Sequence, residues 1–253
     1  MTEPHRSLTD MMDMSGRVAL VTGGAGYIGR AIARGLREMG ATVKTTDICD
    51  ADIDIDLRDE ALVKALPDRI VDDHGSLDVI VHCAAYVGTS DLKGWAVPFE
   101  EQEVENWREA LEVNLTSFFT LVQAATPYLR KSGKGSVVAI SSIYGMSGPD
   151  WSLYEGTGLG NPAAYGASKG GLLQLVRWLS STLGPDIRVN AVSPGGIARG
   201  QDPAFVEKYE ARTPLGRMGR EDDITGAVAY LVSDLSAYVT GQNLVVDGGW
   251  TAW

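Results

Sequence analysis

Short apolar runs alternate with stretches of helical periodicity along most of the chain. Residues 17–22 (RVALVT) form an apolar run that ends in a glycine cluster, and residues 28–39 follow with helical spacing and stop at Gly40. Residues 41–46 (ATVKTT) read as a second strand, and 77–83 (LDVIVHC) as a nearly continuous apolar strand of the kind buried on both faces. A long helical stretch covers 104–129, with Trp107, Leu111, Phe118 and Val122 on one stripe. Residues 136–140 (SVVAI) form another buried strand, and 163–183 are helical with Leu172, Leu175, Val176, Leu179 and Leu183 on one face. Residues 187–192 and 243–246 complete the strands. Strands alternating with helices predict an α/β fold: a doubly wound parallel sheet of about seven strands, with helices on both faces. No linker, low-complexity tract or repeat divides the chain, so 16–253 is expected to be one domain. Residues 1–15 are expected to be a flexible polar lead, in which Met11, Met12 and Met14 offer alternative starts. The least regular segments, 87–101, 147–162 and 194–213, each follow a strand end, the edge at which open α/β sheets bind ligands.

Composition narrows the classes. The 253 residues are 44% hydrophobic and 22% charged, which excludes disordered, collagen-like and disulfide-scaffold chains. A formal net charge of −11 argues against nucleic acid and anionic membranes as partners. No apolar run approaches the ~18–20 residues of a membrane span, and the N-terminus lacks a signal-type apolar core. Cys49 and Cys83 form neither a metal-spaced cluster nor a redox pair, so a reduced, cytoplasmic, metal-free protein is expected.

The first strand runs into Thr22-Gly23-Gly24-Ala25-Gly26-Tyr27-Ile28-Gly29. Such a turn lets the backbone approach a pyrophosphate, and the helix that follows offers free N–H groups and a positive dipole end. The strand–turn–helix context points to a dinucleotide, and no Gly-Lys-Ser/Thr of the Walker type follows. Asp47 ends the second strand, 18 positions beyond Gly29, where a carboxylate accepts both ribose hydroxyls of NAD and repels a 2′-phosphate. Asp56 and Leu57 are placed to flank the adenine.

Tyr165-Gly166-Ala167-Ser168-Lys169 sets a phenol and an ammonium at i and i+4 on one helix face. A nearby cation lowers a phenol pKa, giving a general acid/base suited to an alcohol or ketone. Ser142 ends the fifth strand, where its hydroxyl can polarise a substrate oxygen, while Ser141, of opposite parity, is expected to be structural. Asn114 lies on the apolar stripe of the 104–129 helix, either as a core hydrogen-bonding group or as part of a water-mediated relay to Lys169.

With these motifs the chain resembles the compact branch of the short-chain dehydrogenase/reductases. The glycine turn, Asn114, Ser142, Tyr165-x-x-x-Lys169, 190–195 (NAVSPG) and 240–249 (TGQNLVVDGG) carry the likeness over 16–253. It implies a Rossmann-type fold and NAD as cofactor. It implies Ser142 as substrate polariser, Tyr165 as acid/base, Lys169 serving both the phenol and the nicotinamide ribose, and Asn114 in the relay. The cofactor wall would be Gly23, Gly26, Tyr27, Ile28, Gly29, Asp47, Asp56, Leu57, Cys83, Ala84, Ala85, Tyr165 and Lys169, with Pro194, Gly195 and Ile197 beside the nicotinamide. A homotetramer or homodimer is implied as well, and the apolar Trp250 and Trp253 suit an assembly. Three positions depart from the family pattern: Tyr27 replaces a glycine, His82-Cys83-Ala84-Ala85 replaces Asn-Asn-Ala-Gly, and Arg199 replaces a threonine. Arg199 is thereby a candidate to meet an anionic substrate group. A narrower likeness, in 193–197, 213–218 and 248–253, is to oxidoreductases of flagellin modification and nonulosonic-acid synthesis.

The expected activity is NAD-dependent interconversion of a secondary alcohol and a ketone on a small sugar-like or polar hydroxylated substrate. The segment between Ser142 and Tyr165, 22 residues long, brings Asp150, Trp151, Tyr154, Glu155 and Asn161, which suit a polyol, or else serves as a contact loop between subunits. A 3-oxoacyl-type ketoreductase, a sugar epimerase or dehydratase with tightly held NAD, and a non-catalytic NAD-binding regulator are the alternatives.

Overall fold

The computed structural model describes residues 6–90 and 92–253. Seven strands form one sheet: β1 (Val18–Thr22), β2 (Thr42–Asp47), β3 (Ile53–Asp54), β4 (Val79–His82), β5 (Gly135–Ile140), β6 (Ile187–Pro194) and β7 (Asn243–Val246). Their order is β3-β2-β1-β4-β5-β6-β7, with every pairing parallel. This is the doubly wound, Rossmann-type sheet that the alternation of elements predicts. The order reverses between β1 and β4, and a crevice at such a reversal is where ligands bind.

Period-2 alternation feeds two cores from single strands. Leu20, Val137 and Ala139 face a core completed by α3 (Glu60–His74), α5 (Ser117–Ser132) and α6 (Ala163–Leu183). Ala19, Val21, Val138 and Ile140 face the opposite core, completed by α2 (Tyr27–Glu38) and α8 (Glu221–Val232). Burial on both faces explains why β1, β4 and β5 read as unbroken apolar runs.

Four features differ from the expected pattern. The stretch 104–129 is α4 (Val104–Leu111) and α5 joined by a π-turn, Glu112–Thr116. Segment 194–213 contains α7 (Pro203–Arg212), capped by Asp202, whose carboxylate accepts the Ala204 N–H at 2.8 Å, with proline at N1. Helices α3 and α8 add to the predicted set; α3 starts at the Asp59 cap and stops at Gly75, which takes the left-handed φ of +82° that a side chain resists. Finally, the expected flexible lead is docked over residues 6–15. It carries α1 (Leu8–Met12), started by a Ser7/Asp10 capping box, and Arg6 pairs with Asp234 at 2.8 Å. Met14 is fully buried in the α2/α8 core, an apolar anchor that outweighs the polarity around it. Residues 1–5 lie outside the described residues. Among the described residues no helix is long and apolar enough to cross a membrane.

Candidate active site

Parallel pairing brings Thr22, Asp47, His82, Ile140 and Pro194 to one sheet edge. At its centre the glycine turn presses against the end of β4. A Cβ on Gly23 would stand 2.6 Å from the Ala84 nitrogen, and Gly23 has a φ of +67°. A Cβ on Gly29 would stand 2.1 Å from the Gly23 carbonyl oxygen, so only glycine lets α2 start this close to the turn. Gly26 is the N-cap residue of α2, and the helix has no side-chain cap, which leaves donors for a ligand. Tyr27 is the first helical residue and its side chain is exposed, while Ile28 packs partly against the α2/α8 core. The Asp47 carboxylate accepts the Ala25 N–H at 3.0 Å and the Ile48 N–H at 2.8 Å, which fixes it at the rim of the turn. Shape, uncapped helix end and rim carboxylate together fit a dinucleotide.

The remaining predicted wall residues divide. Cys83 donates its N–H to the Thr22 carbonyl at 3.1 Å, and desolvation pushes its thiol up to about 12, so it stays protonated beside Ala84 and Ala85. Asp56 engages Arg58, with contacts of 2.7–3.1 Å, and that bonding holds its carboxyl below the usual range. Leu57 is buried in the core with α3. Gly195 follows Pro194 and donates to the Val246 carbonyl at 3.0 Å, and Ile197 is buried, bridged to Gly219.

The second half of the edge carries the hydroxyl groups. Ser142 is the N-cap of a 3-10 turn, Ile143–Gly145; its Oγ accepts the Tyr144 N–H at 3.1 Å, which leaves the hydroxyl hydrogen free to donate. Ser141 donates to the Lys169 carbonyl at 2.9 Å and ties β5 to α6. Tyr165 lies in the first turn of α6. Burial pushes its phenol above the usual range, and the Ser142 hydroxyl and the Arg199 guanidinium act in the opposite direction. Lys169, fully buried, donates from Nζ to the Ile140 carbonyl at 2.7 Å, 5.8 Å from the centre of the Tyr165 ring. Burial pulls the lysine down to about 8. The ammonium thus stands between the Ile140 carbonyl and the Tyr165 ring.

Asn114 sits in the π-turn. Its Oδ1 accepts the Tyr86 N–H at 2.8 Å, and its Nδ2 donates to the Tyr86 carbonyl at 3.1 Å and to Ser168 Oγ at 3.0 Å. The side chain therefore pins the segment that leaves β4 onto α6. His82 bonds Thr22 Oγ1 through Nδ1 at 2.9 Å, and burial drives its pKa down to about 3, so it stands as a neutral strut.

Segment 147–162 folds inward against α7. Tyr154 shares a 2.7 Å hydroxyl contact with Tyr144, receives the Asn161 amide at 3.2 Å and packs on Phe205. Tyr144 in turn donates its N–H to Ser142 Oγ, so this polar row adjoins the end of β5. Asp150 pairs with Arg212, whose guanidinium lies 4.3 Å from the Trp250 ring. Trp250, expected to need a partner subunit, is buried within the chain and stacked on Tyr209, whereas Trp253 is exposed. The Tyr209 hydroxyl accepts the Gly196 N–H at 2.5 Å and so supports the loop after β6. This support comes from α7, for which Asp202-Pro203 was the available sign in the sequence.

A family model described as enoyl-(acyl carrier protein) reductase matches residues 23–251. The chain is 35% identical to cis-4-hydroxycyclohexanecarboxylate dehydrogenase of Sinomonas cyclohexanicum, covering 93% of this chain and 97% of that protein. It is 32% identical to a 3-oxoacyl-[acyl-carrier-protein] reductase of Thermotoga maritima, with 94% and 99% covered. The chain belongs to the short-chain dehydrogenase/reductase family. It is an enzyme of that family by similarity along nearly its whole length. A short-chain dehydrogenase from Leptospira borgpetersenii, solved with bound NAD+, superposes with a TM-score of 0.86 at 31% identity, covering 99% of this chain and 98% of that one.

Proposed function

We propose that this short-chain dehydrogenase/reductase uses NAD to interconvert a secondary alcohol and a ketone on a polar, hydroxylated substrate of sugar-like type. The observation that carries this reading is that Ser142, at the end of β5, and the Tyr165–Lys169 pair of α6, tied together by the Ser141 bond to the Lys169 carbonyl, stand on the same sheet edge as a glycine-enforced dinucleotide cradle. When bound, the nicotinamide supplies hydride exchange with the carbinol carbon. The chain supplies position and proton traffic. Ser142 donates its free hydrogen to the substrate oxygen and polarises it. Tyr165, kept protonated by burial, gives its proton to that oxygen in reduction and takes it back in oxidation. Lys169 uses one of three donors on Ile140, leaving two for the phenol and the ribose. Asn114 holds residue 86 and α6 in register around them. Gly23, Gly26 and Gly29 would take the pyrophosphate against α2, and Asp47 the adenosine ribose.

The choice of NAD rests on Asp47, whose carboxylate at the turn opposes a 2′-phosphate. The polar class of substrate is supported by the Tyr144–Tyr154–Asn161 row, by a relative named for a hydroxylated ring acid, and by the narrower resemblance to nonulosonic-acid oxidoreductases. Reduction of a 3-oxoacyl thioester is the second reading, favoured by the Thermotoga relative. The test is a panel of sugars, cyclic alcohols and a 3-oxoacyl thioester with NAD or NADP, read by absorbance of the reduced nicotinamide. The expected result is turnover of polar alcohols with NAD; turnover of the thioester with NADPH alone would replace this reading by the second. Asp47→Ala should lower the preference for NAD over NADP about tenfold, and an unchanged ratio would remove the role given to this carboxylate. We place the enzyme in the cytoplasm, as a homotetramer, and light scattering measures that assembly.

A further inference from the structure

We propose that Arg199 is a positioning residue that grips the diphosphate of the bound dinucleotide, and that the Tyr27 ring is the platform holding it in place. The inference rests on the dinucleotide reading above. Tyr27 and Arg199 are two separate departures from the family pattern, one in the glycine turn and one after β6, and the fold makes them a pair. The guanidinium carbon lies 4.7 Å from the centre of the Tyr27 ring, within cation–π range. Tyr27 is the first residue of α2, so this places the cation over the uncapped end of the helix.

The arginine is anchored on one side and open on the other. Its backbone N–H donates to Gln201 Oε1 at 2.7 Å, and Gln201 Nε2 donates to the Ile197 carbonyl at 2.6 Å, which fixes the loop. Its Nε faces Glu221 Oε1 at 3.3 Å, and the side chain is 30% exposed. Among the described residues the two terminal amino groups have no hydrogen-bond acceptor. A planar fork with both ends free matches two phosphate oxygens, and stacking on Tyr27 has already ordered it. An anionic substrate is the other ligand of the same chemistry. The position of the guanidinium on the turn, rather than in the Tyr144–Tyr154 row, favours the cofactor.

The test uses the full chain and two probes: NADH, followed by fluorescence, and ADP-ribose, which keeps the diphosphate without the nicotinamide, followed by displacement. Arg199→Gln should raise Kd for both probes about tenfold or more, Arg199→Lys should recover part of that loss, and Tyr27→Ala should cost several-fold. Equal Kd values in the parent and Arg199→Gln, a loss confined to NADH, or an effect only on KM for an acidic alcohol would overturn the assignment. If Arg199→Gln does not fold, the comparison of parent with Arg199→Lys decides in the same terms, since lysine keeps the charge and loses the fork. A parent that binds neither NADH nor NADPH would instead remove the proposed function, an outcome separate from all of these.

Discussion

The two halves of the active-site edge are built by different means. On the side of β1 and β2 the surface is backbone: glycines packed to 2.1–2.6 Å of what a methyl group would meet, an uncapped helix and one carboxylate bonded to the turn. On the side of β5 and β6 it is side chain on side chain: Tyr144, Tyr154, Phe205, Tyr209 and Trp250 in successive ring contacts, closed by Arg212 and Asp150. A backbone cradle suits a ligand common to a family, because its shape tolerates no local variation. An aromatic and hydroxyl wall on longer segments changes with each residue, so the proposed reading puts substrate choice there.

Breaking the junction between the halves has the largest expected effect. Tyr165→Phe should lower kcat about a thousandfold while Kd for NADH stays within about threefold, measured by steady-state kinetics and fluorescence titration. Retained turnover would assign the acid/base elsewhere. Breaking the cradle comes next: Gly29→Ala forces the turn apart and should cost about 2 kcal/mol or more in urea unfolding, together with NADH binding. Beneath the cradle, His82 gives a pH-dependent effect. Burial, and after it the Lys169 charge, lowers its pKa from 6.5 to about 3 in the folded protein, so between those values the unfolded chain binds the extra proton and stability falls as pH falls. From pH 7 to 5 the parent should lose roughly 2 kcal/mol more than His82→Asn, as read from urea midpoints at both pH values. The smallest effect sharpens the other half: Tyr154→Phe should raise KM for a hydroxylated substrate about three- to tenfold and leave NADH binding unchanged. Equal KM values would confine Tyr154 to packing.

Legibility in the sequence follows the same division. Turn glycines and buried parallel strands announce themselves, because each is dictated by the φ a residue can adopt or by a two-residue period. The helix after β6 was less visible, since α7 buries only Phe205 and Tyr209 and shows little stripe, leaving its cap as the sole sign. The π-turn was hidden too: Glu112–Thr116 has no glycine or proline to mark it, and only the fold shows Asn114 within it bonding residue 86. Over residues 6–15 polarity hid the docking, which rests on the buried Met14 side chain and on the Arg6–Asp234 pair.

Local chemistry alone determined that this chain would wind a parallel sheet, place a glycine turn at its first reversal, and carry a phenol and an amine one helical turn apart. Tertiary structure decided which of those groups face each other. It turned Lys169 toward Ile140, set Arg199 on Tyr27, and drew Tyr154 up to Tyr144. Backbone preference and periodicity act over a few residues and are written at each position. Contacts between loops far apart in the chain depend on the order of strands in the sheet, and only the assembled fold supplies that order.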